Sequence, residues 1–221
     1  MPATGRTKAP IASAAREPLA YALGTRAKVA CLRVLATTSA SLTQRDVARR
    51  AGTQHRSSQL ALDELVALGV VHRTQGGRDF LVRLNDSYYL SDTLRQIFRA
   101  EAQGFLTLRT GLAAVVSQIQ RSARPLSVVL FGSVARGDDK PGSDLDILVI
   151  SADAAGIETT LARLDTARDQ LESRFGYALR PIAYTVSDAR RRWRRHEPPL
   201  PEIVRDHIAI VGAPLRELLG G

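Results

Sequence analysis

Two aspartates, Asp144 and Asp146, stand one residue apart at the start of an apolar run that ends at Ile150. Such a run predicts a buried β-strand, in which alternate side chains point to the same face. Both carboxylates then face one way and repel each other unless a cation lies between them. Mg²⁺ takes oxygen ligands and commonly bridges one or two carboxylates to substrate phosphates. We therefore expect Mg²⁺, or Mn²⁺ in its place, at Asp144 and Asp146.

An anion-binding turn is expected just before these aspartates, where a β-type run leads directly into Gly132 and Ser133. Glycine lets the backbone approach a triphosphate without a side chain in the way. Ser133 offers a hydroxyl and an amide at the start of a short helix, whose free N–H groups favour anions. Arg136 is the nearest fixed cation. It either counters phosphate charge or forms a salt bridge with Asp138 or Asp139.

The stretch GSVARGDDKPGSDLDILVI resembles the signature of the polymerase-β-like nucleotidyltransferase superfamily: Gly-Ser after a strand, a short helix, then Asp-x-Asp on the next strand. The resemblance covers about residues 125–187. It implies an α/β (α+β) domain with a mixed sheet that takes a nucleoside triphosphate as substrate or ligand. It also implies catalytic and metal-binding roles for the two aspartates, and nucleotide binding by Gly132, Ser133 and Arg136.

One departure from the superfamily pattern concerns a third carboxylate on the following strand. That strand is expected at about residues 178–186, which contain no acid. The position that aligns with the third carboxylate is Ala183. In the superfamily this residue acts as general base or completes a metal site, so its absence predicts weakened turnover with nucleotide binding less affected.

The N-terminal part of the chain is strongly basic, with 13 basic and 6 acidic residues in positions 1–90, against 18 and 16 in positions 91–221. Three helical patterns between Thr25 and Gly69 precede two β-type runs that are joined through a pair of glycines. This order resembles a winged helix-turn-helix domain, which implies that the third helix enters the major groove of double-stranded DNA. The residues expected to contact DNA are Gln54, His55, Arg56, Ser58, Gln59, Arg73 and Arg78. Winged helices also serve as protein–protein or dimerisation modules.

The predicted organisation is a flexible arm at 1–20, a winged helix-turn-helix domain at 21–90, a helical linker at 91–124 and a nucleotidyltransferase-like domain at 125–221. The linker either connects the domains or pairs with its copy in a homodimer, and the sequence leaves both open. The arginine-rich run 190–195 surrounds Trp193. In one interpretation the run binds nucleic acid or phosphate, with Trp193 stacked on a base. In the other it forms a solvated face, and Trp193 anchors it to the core.

Composition excludes several classes of protein. A single cysteine, Cys31, excludes an intramolecular disulfide, and four scattered histidines make a structural zinc site improbable. No apolar run approaches the roughly 18–20 residues that cross a bilayer. The expectation is a cytoplasmic protein without membrane partners.

Two functions follow from the sequence. The first is a DNA-binding nucleotidyltransferase that moves a nucleoside monophosphate from a triphosphate, with Mg²⁺, to an unknown acceptor, either an RNA or a protein as in antitoxin-like relatives. The second is a DNA-binding transcription regulator whose degenerate transferase domain binds nucleotide or serves as a scaffold.

Overall fold

The computed structural model describes residues 18–220, except the side chain of Ser122, as two compact units that divide between Gln103 and Gly104. Most of the arm expected at 1–20 lies outside the described residues, and residues 18–20 belong to the first helix. No helix within 18–220 is both long and apolar enough to cross a membrane. Separate clusters of buried apolar side chains hold each unit together.

The first unit contains four short helices and a three-stranded antiparallel sheet in the order β1-β3-β2. The Thr25 and Thr43 hydroxyls cap two of the helices by accepting hydrogen bonds from the backbone N–H groups of Lys28 and Asp46. The helices are α1 Pro18–Ala22, α2 Arg26–Ala36, α3 Gln44–Arg50 and α4 His55–Ala67. The strands are β1 Leu42–Thr43, β2 Val71–Gly76 and β3 Asp79–Leu84.

A single helix, α5 Ser91–Ser117, runs through the division between the units. Neither Gly104 nor Gly111 interrupts it. The helix begins at Ser91, where the predicted linker begins. Its first apolar residue, Leu94, is buried in the core of the first unit.

The second unit is built on a four-stranded mixed sheet in the order β6-β5-β4-β7. Strand β5 is parallel to β6 and antiparallel to β4, which is antiparallel to β7. The strands are β4 Ser127–Phe131, β5 Asp144–Ser151, β6 Ala178–Thr185 and β7 Ile208–Gly212. The helices after α5 are the 3₁₀ turn Arg121–Ala123, α6 Gly132–Arg136, α7 Ala154–Thr166, α8 Arg168–Phe175, α9 Val186–Arg194, α10 Leu200–Arg205 and α11 Leu215–Leu219.

Each face of this sheet is covered by a different set of helices. Leu145 and Ile147 belong to a core with residues of α5, α7 and α8. Leu148 and Ile150 belong to the core on the other face, with residues of α9, α10 and α11. Because side chains alternate along β5, the even-numbered positions that begin with Asp144 lie on the α9–α11 face.

Candidate active site

Asp144 and Asp146 lie on the same face of β5, at the end where the strand begins. Both are half-buried, whereas Leu145 between them is 2% exposed. This alternation agrees with the expectation from the sequence. It places two carboxylates side by side at the edge of the α9–α11 face, where solvent reaches them.

Gly132 lies against the second of these carboxylates. Phe131 pairs with Asp146 in the register of β4 and β5, so the chain turns into α6 directly beside the aspartate. Gly132 has a φ of +76°, and a Cβ atom there would overlap Oδ2 of Asp146. Any other residue at this position would be strained and would displace the carboxylate.

The electrostatics of the pair favour a cation. Burial raises the pKa of the Asp146 carboxyl, the neighbouring charge of Asp144 raises it further, and the guanidinium groups of Arg180 and Arg136 oppose this rise. Within residues 18–220 no cluster of three or more His, Cys, Asp or Glu side chains is placed to hold a metal. Two carboxylates suit a Mg²⁺ ion that completes its shell with water and phosphate oxygens. The residues therefore fit one such ion that is bound together with a phosphate ligand.

Arg180 occupies the position on β6 beside the aspartates. It is the register partner of Asp146, and its Nε lies 3.5 Å from Oδ2 of Asp144. Ala183, which the sequence alignment placed at the third carboxylate, packs instead against the core on the opposite face. The residue that shares a face and a register position with the aspartates is thus an arginine, which places a positive charge beside them.

A cleft of about 300 Å³ opens beside Gly132 on the α10 side. Arg136 lines it and is paired with Asp138 at 3.3 Å, one of the two alternatives that the sequence left open. Glu202 and Arg205 of α10 form part of the opposite wall. Sequence reasoning missed them because α10 reads only as an apolar closing segment, and no motif connects it with Gly132.

One family model matches the part of the chain that carries this site. Residues 112–206 match the family model of a nucleotidyltransferase domain. The matched segment contains both aspartates, the Gly132 turn, Arg180 and α10. It extends beyond the region of resemblance in the sequence at both ends.

The other comparisons add little to this match. No curated protein matches the chain. Among solved structures, the chain is similar to the crystal structure of human N-acetylserotonin methyltransferase in complex with SAM, at 19% identity and a TM-score of 0.27. The match covers 52% of this chain and 38% of that one, so the chain spans well under half of that protein. A likeness this low carries no argument.

Arg180 gives this candidate site a testable property. Replacing it by glutamine removes a positive charge next to Asp144, so we expect Mn²⁺ to bind several-fold more tightly in the absence of nucleotide. Titration followed by the paramagnetic resonance signal of free Mn²⁺ measures this. The matched variant Arg163→Gln, on α7, should bind Mn²⁺ as the wild type does. Unchanged or weaker binding by Arg180→Gln would contradict the assigned role.

In the first unit, most of the polar residues predicted to contact DNA surround the start of α4. Gln54 precedes the helix as its N-cap residue, and the side chains of His55, Arg56 and Gln59 are exposed. The predicted contact of Ser58 with DNA does not fit the structure. Ser58 is completely buried, and its hydroxyl is hydrogen-bonded to the hydroxyl of Thr53, so it is not available to DNA.

The two arginines predicted at the hairpin differ in their surroundings. Arg78 is exposed in the turn between β2 and β3. Arg73 is paired with Asp63 of α4, and its guanidinium lies 5.1 Å from the centre of the Phe80 ring. The charge of Arg73 is therefore partly compensated within the unit.

Proposed function

We propose that the chain is a DNA-binding nucleotidyltransferase that moves a nucleoside monophosphate from a triphosphate to an acceptor, with Mg²⁺ or Mn²⁺ as cofactor. The observation that carries the proposal is the contact of the Asp146 carboxylate with a glycine in the left-handed region, beside Asp144 on the same sheet face. The match of residues 112–206 to the nucleotidyltransferase domain supports the reaction class. The acceptor is an RNA or a protein, the latter as in antitoxin-like relatives.

The chain's own residues bind and orient the triphosphate in this proposal. Asp144 and Asp146 hold the metal ion, which when bound neutralises phosphate charge and polarises the reacting phosphorus. The Gly132 backbone lets a phosphate approach, and the Ser133 hydroxyl donates to it. Arg136 lines the adjoining cleft. Its salt bridge with Asp138 is exposed and therefore weak, so the guanidinium can leave Asp138 and offer a second positive charge to the phosphates.

A label-transfer experiment tests the proposal. The purified protein is incubated with α-labelled nucleoside triphosphates and Mg²⁺, alone and with cellular RNA or lysate proteins. Transfer of label that disappears in the double variant Asp144→Asn/Asp146→Asn supports the enzyme. Transfer that persists in that variant would refute the assignment of the site.

Arg180 favours a second function for the same fold. An arginine beside Asp144, in place of a third acid, removes a candidate general base and lowers the negative charge available to a second metal ion. In this alternative the domain binds nucleotide without turnover, or serves as a scaffold for a DNA-binding transcription regulator. Mg²⁺-dependent binding of nucleotide without label transfer would support it.

DNA binding is proposed for the first unit. Three helices followed by a β-hairpin, with His55, Arg56 and Gln59 exposed on α4 and Arg78 at the hairpin turn, support the winged-helix interpretation. The excess of basic residues in positions 1–90 supports a polyanionic partner.

Arg56 and Arg78 provide the test of DNA binding. Changing either to alanine is expected to weaken binding to duplex DNA on the order of tenfold and to reduce the slope of log affinity against log salt by about one. Fluorescence anisotropy of a labelled duplex at several salt concentrations measures both quantities. Arg99→Ala, an exposed arginine of α5 in the same unit, is the control. An affinity for duplex DNA that does not depend on salt concentration would contradict the DNA hypothesis. An equal loss of affinity in the Arg99→Ala control would contradict it as well.

A further inference from the structure

The arginine-rich run at the end of α9 lines a cleft that the proposed transfer site does not use. The cleft has a volume of about 720 Å³ and lies within the second unit, between the end of α9 and the end of α11. It is lined by Arg190, Trp193, Arg194, His196, Leu219 and Gly220. Cationic and aromatic groups thus share one concave surface.

Two of the lining arginines have no carboxylate partner within residues 18–220. Arg190 donates from Nε to the carbonyl of Leu218, and Arg194 donates from Nε to the carbonyl of Arg190. Each guanidinium group is thus fixed through its Nε atom. Since like charges four residues apart on a helix repel each other, an anion bound between them would relieve an unfavourable contact.

The other three arginines of the run differ from this pair, because each has an acidic partner. Arg191 is paired with Asp188, and both Arg192 and Arg195 are paired with Glu197. The uncompensated positive charge of the run is therefore concentrated at the cleft, on Arg190 and Arg194.

The aromatic part of the cleft is held by an unusual helix end. The rings of Trp193 and His196 are stacked, with centroids 6.2 Å apart and planes inclined by 26°. The backbone N–H of His196 donates to the carbonyl of Trp193, and that of Glu197 donates to the carbonyl of Arg192, which is the Schellman pattern. His196 has a φ of +53°, in the left-handed position that such an end usually gives to glycine. A strained histidine whose ring lies on the tryptophan points to a role in binding.

We propose that this cleft binds single-stranded nucleic acid. A base stacks on the Trp193–His196 pair, and the flanking phosphates contact Arg190 and Arg194. Planar rings next to fixed guanidinium groups are the combination with which proteins bind single strands without reading their sequence. Trp193 is half-buried and packs against the core on this face of the sheet, whereas the ring of His196 that is stacked on it is exposed. An acidic peptide would use the arginines alone and would not need the exposed ring of His196. Stacking on a base and contacts with phosphates are common to RNA and single-stranded DNA, so we expect both to bind.

Trp193 reports on its own site, because it is the single tryptophan of the chain. A ten-nucleotide oligoadenylate, as RNA and as DNA, is titrated into the full-length protein while tryptophan fluorescence and the anisotropy of a labelled oligonucleotide are recorded. We expect saturable quenching whose midpoint coincides with the rise in anisotropy. The double variant Arg190→Ala/Arg194→Ala should weaken binding at least about tenfold, with a smaller dependence on salt.

The variant His196→Gly distinguishes a loss of affinity from a loss of stability. Glycine suits the left-handed backbone, so this variant should melt at the wild-type temperature or above it and still bind about fivefold or more weakly. The matched control is Arg121→Ala/Arg163→Ala, which removes the same charge from the 3₁₀ turn and α7, on the opposite side of the sheet. It should change affinity less than twofold.

Several results would overturn this proposal. One is a rise in anisotropy without quenching, which would place the single strand elsewhere, for example on the first unit. Others are an equal loss of affinity in the Arg121→Ala/Arg163→Ala control, undiminished binding by His196→Gly, or equal quenching by a polyglutamate peptide, which would show an acidic-peptide site. None of these results depends on label transfer, so the proposal stands or falls separately from the proposed enzyme.

Discussion

Gly132→Ala is expected to slow nucleotidyl transfer on the order of 100-fold while the protein still folds. The new methyl group would overlap Oδ2 of Asp146, so the carboxylate must move away from its position beside Asp144. Misplacing a reacting or ligating group by about 1 Å costs on the order of 100-fold in rate. The left-handed backbone adds about 1–2 kcal/mol of lost folding free energy. Transfer kinetics and thermal melting measure the two effects.

Gly137→Ala is the matched control for this prediction. Gly137 has the same φ of +76°, and a Cβ atom there would meet nothing within 4 Å. The two variants therefore share the backbone strain and differ only in the displacement of Asp146. Both should lose similar stability, and only Gly132→Ala should lose transfer. Equal rates in the two variants would show that the contact between Gly132 and Asp146 has no part in the chemistry.

Asp146→Asn is expected to lower transfer about 1,000-fold, because one of the two metal-binding carboxylates disappears and a metal ion contributes several kcal/mol to such a reaction. The fold should be unaffected or stabilised near neutral pH. The pKa of Asp146 is raised by burial and by Asp144, so the folded protein holds this proton more tightly than the unfolded chain. Stability then falls as the pH rises above the pKa of the unfolded chain, and an amide removes that loss.

Thermal melting and label transfer, measured on the same variant, test whether Asp146→Asn loses activity without losing stability. Asp169→Asn, an exposed acid of α8, removes the same charge and should change neither quantity appreciably. A marked drop in melting temperature for Asp146→Asn would mean that the carboxylate stabilises the fold, contrary to the electrostatics described above. Transfer at the wild-type rate would remove Asp146 from the site.

Local patterns in the sequence were sufficient to predict the core of the site. The apolar run after Asp144 predicted a strand, and its alternation placed Asp144 and Asp146 on one face, as the structure has it. The strand before Gly132 and the short helix after it are also found. These features are set by residues close together in the chain, through strand alternation and the freedom of glycine.

Features set by pairing between distant segments could not be predicted in the same way. Counting along the chain pointed to Ala183, but the parallel register of β5 and β6 brings Arg180 beside Asp146. Ser58 reads as an exposed polar residue, yet the packing of α4 buries it completely. Helix α10 lies at the cleft because Leu200, Ile203 and Val204 pack in the core of the sheet. Register and packing depend on the whole sheet and core, which no local pattern contains.

Metal-dependent binding of a nucleotide tests the central claim most directly. A triphosphate analogue that cannot be cleaved between the α- and β-phosphates is titrated into the wild-type protein and into Asp144→Asn/Asp146→Asn, each with Mn²⁺ and with EDTA. Calorimetry measures the affinity. We expect the wild type to bind the analogue only with Mn²⁺, and the double variant to bind it weakly under both conditions. Equal affinity with and without Mn²⁺, or undiminished binding by the double variant, would contradict the account of two aspartates that hold a metal–nucleotide complex.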